Sequence, residues 1–145
     1  MKAGFIPDSI STDLHHTSMN SGMKDMLNVM DKFLAMGMPL DEVILRSTWN
    51  PAQEIQHPEL GNLSVGFPAD VAVLRVEKGK FGFADQVGRV DGTQKLICEL
   101  TIRDGKVVYD LNGTTRESFN KLPPGPRGNS DPRWDGFARQ PPRHP

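Results

Sequence analysis

The residues best suited to chemistry stand close together near the start of the chain, in Ser11-Thr12-Asp13-Leu14-His15-His16. A carboxylate in such a cluster can ligate a hard or borderline metal ion or carry a proton, and the neighbouring imidazoles bring further donor atoms. The residues alone leave a plainer reading open, in which Asp13 caps a turn and His15 and His16 are solvated loop residues. Little else competes with this cluster. His57 and His144 each lie beside a proline with no partner at ligand spacing. The serines have no Gly-x-Ser-x-Gly setting, neither common type of Gly-rich phosphate loop occurs, and Gly61, Gly66, Gly79 and Gly82 read as turn punctuation. The single cysteine, Cys98, cannot close an intramolecular disulfide. Within Leu96-Ile97-Cys98 it reads as a small buried hydrophobe.

The elements that must hold this cluster follow from the apolar pattern. Gly4 to Ser11 places Phe5, Ile6 and Ile10 around Pro7-Asp8, which fits a short strand opening into a loop, and Pro7 argues against a central paired position. From Asn20 onward Met23, Met26, Leu27, Met30, Phe33 and Leu34 recur at helical spacing. Ser21 is the expected cap of that helix, and Gly37 followed by Pro39 is its stop. Methionines at this spacing read as gap-filling core. A second helix is expected from Pro39 through Leu45, with Asp41 and Glu42 near its positive end. A fresh helical turn should begin at Asn50-Pro51-Ala52-Gln53, with Asn50 as N-cap and Pro51 at the first helical position.

After His57-Pro58 the chain turns β in style. Asp70 to Val76 has the β-branched, nearly continuous apolar character of a strand buried on both faces. Lys95 to Ile102 and Lys106 to Asp110 predict a hairpin turning at Asp104-Gly105, because glycine accepts the positive φ that a tight turn needs. Lys80 to Asp91 reads as a loop or irregular strand that packs Phe81 and Phe83. From Leu122 the density of Pro, Gly, Arg and Asp predicts a mostly disordered tail, with Trp134 and Phe137 available for local docking.

Composition bounds these readings without sharpening them. With 145 residues, 37% of them hydrophobic, the chain can build one ordinary domain with a modest core. A net charge of -1, from 17 basic and 18 acidic residues, gives no electrostatic footprint for nucleic acid or an anionic membrane, so neither partner is expected. No apolar stretch approaches the roughly 18 to 20 residues needed to span a bilayer, and Met1 to Phe5 lacks the apolar core of a secretory signal. A soluble, cytoplasmic protein is expected.

Taken in order, several segments carry a resemblance. They are Ile10-Ser11-Thr12-Asp13, an amphipathic helix, Thr48-Trp49-Asn50-Pro51-Ala52, the run from Gly61 to Val73, and Thr101 to Tyr109. This succession, over roughly residues 4 to 113, resembles the closing part of amidohydrolase-superfamily enzymes, most closely the deacetylase-like branch often labelled dihydroorotase-like. The resemblance implies an α/β fold: the C-terminal fragment of a (β/α)8 barrel, comprising its last strand and the following helices, plus part of a small β-sandwich. Residues 1–57 would close the barrel, 58–113 belong to the sandwich, and 114–145 form the tail.

On that resemblance Gly4 to Ser11 is the eighth barrel strand and Asp13 its aspartate. Asp13 would then bind a divalent metal, zinc in the first instance, as one or two ions in the full-length parent. It would also take the proton of the attacking water and pass it to the leaving amine. His15 and His16 would lie at the mouth of the site, within reach of a small-molecule amide substrate. The other ligands of the family map to nothing in this chain. Asn50-Pro51-Ala52 and Gly61 to Asp70 look structural, with Asp70 satisfying backbone donors near the start of its strand. The expected activity of the parent is hydrolysis of C–N bonds in non-peptide amides, as an N-acyl deacetylase or cyclic amidase, and a homo-oligomeric parent stays open. The alternative is a non-catalytic fragment or accessory helix and β module with no activity by itself.

Overall fold

The computed structural model describes residues 4–20 and 24–121. The chain divides into two compact units, Met1–Asn112 and Gly113–Pro145. In the first, four helices precede a three-stranded antiparallel sheet: α1 (His16–Asn20), α2 (Met26–Ala35), α3 (Leu40–Ser47), α4 (Trp49–Glu54), a 3-10 turn at Pro58–Leu60, then β1 (Val71–Ala84), β2 (Arg89–Arg103) and β3 (Lys106–Asp110), in spatial order β1-β2-β3. The described part of the second unit, Gly113 to Lys121, holds a 3-10 turn at Phe119–Lys121. The tail expected from Leu122, with Trp134 and Phe137, lies outside the described residues.

The apolar stripe predicted for the first long helix is the centre of the core. Val29, Met30 and Leu34 of α2 pack with Met38, Val43 of α3, Leu96 of β2 and Ile10, and Met26, Leu27, Phe33, Ile44 and Leu74 fill in around them. Val43 is 0% exposed and Leu96 2%, and complete burial of such a side chain stabilises by about 1.5–3 kcal/mol. Ser21 and Met23 lie outside the described residues. The cap of α2 is Asp25, whose carboxylate accepts the Asn28 N–H at 2.7 Å. Gly37, at φ +93, ends the helix where a side chain would be strained. Pro39 precedes α3 as its N-cap, with fixed φ and an extended ψ, and Leu40 is the first helical residue.

Three expectations are corrected. Gly4 to Ser11 carries no strand: a strand exists through its ladder, and the backbone bond found here runs from Ile10 N–H to the carbonyl of Arg46, at the end of α3 (2.8 Å). The strand expected over Asp70 to Val76 is not buried on both faces. It continues to Ala84 at the edge of the sheet, with Val73 44% and Val76 38% exposed, because α2 covers only one face of this sheet. Lys80 to Asp91 is no loop but the end of a long hairpin, in which Phe81 to Ala84 pair with Arg89 to Gly92 and the Asp85 N–H donates to the Gly88 carbonyl. The hairpin at Asp104-Gly105 forms as expected, with positive φ at both turn residues.

Candidate functional site

Asp13 sits in a loop whose approach is tied down from two helices. Arg46 of α3 donates Nη1–H to the Pro7 carbonyl at 2.7 Å, and Asn50 of α4 donates its side-chain amide to the Asp8 carbonyl at 2.6 Å. Ser9 donates its hydroxyl to Glu54 at 2.9 Å, and Ile10, 4% exposed, plugs the core. The expected role of Asn50 as N-cap is thereby corrected. α4 begins at Trp49 after Thr48, and Asn50 is free to hold the segment leading to Asp13. Behind it, Gly61 passes so close to α4 that a Cβ there would lie 2.6 Å from Cβ of Ala52 and 2.9 Å from the Thr48 carbonyl oxygen. Gly61 is therefore a close-approach residue and not only a turn. This contact joins two of the sequence signatures, Asn50-Pro51-Ala52 and the Gly61 run. The other end of that run behaves as expected, with Asp70 accepting the Asp104 N–H at 2.7 Å.

The site itself is small and open. Asp13 has φ +46, a left-handed conformation that aspartate tolerates better than most residues. Its carboxylate is 92% exposed and stands 3.8 Å from Nε2 of His15. His15 also serves α1: its Nδ1 accepts the Thr17 N–H at 3.3 Å, while its own N–H donates to the Ser18 hydroxyl at 2.9 Å. This is a capping box with histidine in the capping place. With Nδ1 occupied as an acceptor, the neutral ring carries its proton on Nε2, the nitrogen that looks toward Asp13. The Ser18 hydroxyl reaches the Asp13 carbonyl at 2.8 Å and so fixes the loop against α1. His16 packs edge-on to His15, with ring centroids 5.9 Å apart.

Asp13, His15 and His16 are thus brought together as expected, and both the catalytic reading and the capping reading find support in the hydrogen bonds. As a metal site the group is partial. Among the described residues no group of three or more His, Cys, Asp or Glu side chains could hold an ion. One carboxylate and one imidazole fall short of the three or four donors that a zinc site takes from its protein. A complete site needs donors beyond these residues. His57 does have a nearby partner, contrary to expectation, in Glu59 at 2.9 Å, and that contact holds the Glu59 carboxyl below its usual range. A cavity of about 610 Å³ is lined by Gly4, Ile6, Met36 and Arg46, among others, and not by Asp13.

Two charged residues of α2 were not expected to matter. Asp31 is 1% exposed and accepts the Leu96 N–H of β2 at 2.8 Å, so it satisfies a backbone donor inside the core. Burial pushes its pKa up, against the opposing pull of that N–H and of Lys95. Lys32, its side chain 8% exposed, reaches Asp85 in the β1–β2 turn at 3.2 Å. The Gln86 N–H and then Lys32 hold the Asp85 carboxyl below its usual range. Cys98 is half-buried, with Sγ 3.3 Å from the Thr101 hydroxyl.

Comparison with known proteins places the chain in context. The amidohydrolase family model matches residues 1–108. A deacetylase of Brucella anthropi is 36% identical over 96 residues, covering 66% of this chain and 24% of the relative. A deacetylase of Agrobacterium fabrum is 37% identical over 93 residues, covering 64% and 23%. Among solved structures, an adenine deaminase superposes with a TM-score of 0.69 at 25% identity, and a dihydroorotase with 0.65 at 29%, each over 75% of this chain and 30% of the other. The chain spans about a quarter of the length of the curated relatives it matches.

Proposed function

The chain belongs to the amidohydrolase family, and from that premise we propose that it works as the closing portion of a metal-dependent hydrolase of C–N bonds in non-peptide amides. The substrate class is an N-acyl amide or a cyclic amide, and the segment before α1 is the end of a barrel whose eighth strand leads into Asp13. The deacetylase names of two relatives support the substrate class. The observation that carries the site is the exposed Asp13 carboxylate beside Nε2 of His15.

In this reading Asp13 contributes one carboxylate to a divalent ion, with zinc the first candidate, and the remaining donors come from outside the described residues. Such an ion, when bound, lowers the pKa of water to about 7. Asp13 holds a proton at its carboxylate oxygen between the attack of water and the departure of the amine, a transfer that needs a positioned group and not a strong base. His15 steadies that carboxylate through Nε2, and His16 lies beside it toward substrate. Arg46, Asn50 and Ile10 position the loop and touch no reacting atom.

A second reading applies to the chain by itself. The partial donor set among the described residues favours a helix and β module without activity of its own. Both readings are tested together by assaying zinc-loaded protein on a panel of N-acyl amides and cyclic amides. The 145-residue chain should be inactive. In the longer enzyme that contains this sequence, Asp13→Asn should lower turnover by about 10²- to 10⁴-fold with the fold retained. An active isolated chain, or a fully active Asp13→Asn enzyme, contradicts the proposal.

A further inference from the structure

β1 is an edge strand throughout, because the order β1-β2-β3 leaves one side of Val71–Ala84 with no strand beside it among the described residues. A free strand edge presents a row of backbone N–H and C=O groups that can receive another strand, and proteins usually blunt such edges with charge or irregularity. Here the blunting is confined largely to one half. The register with β2 is broken between Lys78 and Phe81, where Lys78 and Lys80 are exposed on either side of Gly79. The half before it has one register shift, at Val73/Leu74, no proline, and exposed valines at 73 and 76.

The residues of that half select the strand that fits. Suppose two copies of β1 pair antiparallel so that both α2 helices stay on one face of the joined sheet. Opposed residues then share parity, and the two-fold axis must pass through a residue. An axis through Arg75, Glu77 or Lys78 sets like charges against each other at its centre, which is destabilising. An axis through Val73 or Leu74 leaves Arg75 and Glu77 opposite apolar residues. An axis through Val76 sets Arg75 of each copy opposite Glu77 of the other and packs Val76 against its own mate. In the single chain Arg75 reaches Glu99 at 2.6 Å and Glu77 of its own strand only at 3.4 Å. The longer contact is the one a second copy would exchange for its own Glu77.

We propose that this chain dimerises by adding β1 of one copy to β1 of another, antiparallel and centred on Val76. Sedimentation velocity of the 145-residue chain over the micromolar range should show a concentration-dependent dimer. Cys98→Ser removes the native thiol, and Val76→Cys in that background sets two thiols across the axis. Antiparallel partners bring Cα atoms to about 4.5–5.5 Å, within disulfide reach. Mild oxidation should give a covalent dimer from Val76→Cys and little from Val108→Cys, a position on the other edge strand. Glu77→Arg, at the surface, should raise the dimer dissociation constant about tenfold by opposing Arg75. A monomer throughout, which would leave the edge to a strand from another polypeptide, overturns the proposal. So does equal crosslinking at positions 76 and 108, or an undiminished dimer in Glu77→Arg.

Discussion

Asp13 and Asp31 bring the same side chain into opposite surroundings. The Asp13 carboxylate is 92% exposed at the end of a loop held by α3 and α4, while Asp31 is 1% exposed between α2 and β2. The first keeps its lone pairs available to solvent, an ion or a proton. The second has committed one oxygen to the Leu96 N–H. An acidic side chain is free for chemistry where packing leaves it alone, and where packing surrounds it, it becomes part of the frame. The helix–sheet junction should therefore govern stability and the Asp13 loop should not.

Leu96→Ala strikes the junction hardest. Truncating a side chain that is 2% exposed should cost about 2–5 kcal/mol in chemical denaturation, and a loss near zero would break the contrast. Gly61→Ala acts on the support of the loop, where the new Cβ meets Ala52 and the Thr48 carbonyl. Overpacking of this kind should cost about 1–3 kcal/mol. Thermal melts that match those of the parent chain would show that α4 can yield.

Asp31→Asn sharpens the comparison through pH. The folded pKa of Asp31 is raised above its ordinary 3.8, so its contribution to stability is complete below that value and is lost as pH rises through the folded pKa. Glu99, lowered chiefly by Arg75, and Asp85, lowered by the Gln86 N–H and Lys32, act in the reverse sense and lose their contributions as pH falls. Asparagine keeps an acceptor for Leu96 and cannot ionise. Relative to the parent chain, the variant should gain melting temperature between about pH 4 and pH 7. A difference that does not move with pH would remove ionisation from the account. The smallest effect is expected at the loop, where Asp13→Asn should change stability by less than about 0.5 kcal/mol.

The helical part of the fold was legible because a single apolar stripe, Met26 to Leu34, marks the core face of α2, and because Gly37 and Pro39 punctuate it. The turn at Asp104-Gly105 was legible from its two residues alone. The long β1–β2 hairpin was not, since Gly79, Gly82 and Gly88 interrupt the alternation and the register shifts break its period. The close approach of Gly61 left no local signal, because its cause is a residue on α4. Asp31 could have been found. It stands four residues after Leu27 and three before Leu34, on the apolar face itself, and a charge in that place asks for a buried partner. Asp13 and its histidines were named from residue type, whereas Arg46 and Asn50, which hold their loop, act through side chains on elements distant in sequence.

The left-handed backbone at Asp13 means that two separate demands meet at one position. Glutamate would answer the call for negative charge but resist that turn of the chain; asparagine and glycine would accept the turn and surrender the charge. Aspartate alone serves both, so a randomised library at this codon would sort itself into different winners according to whether folding or chemistry does the choosing.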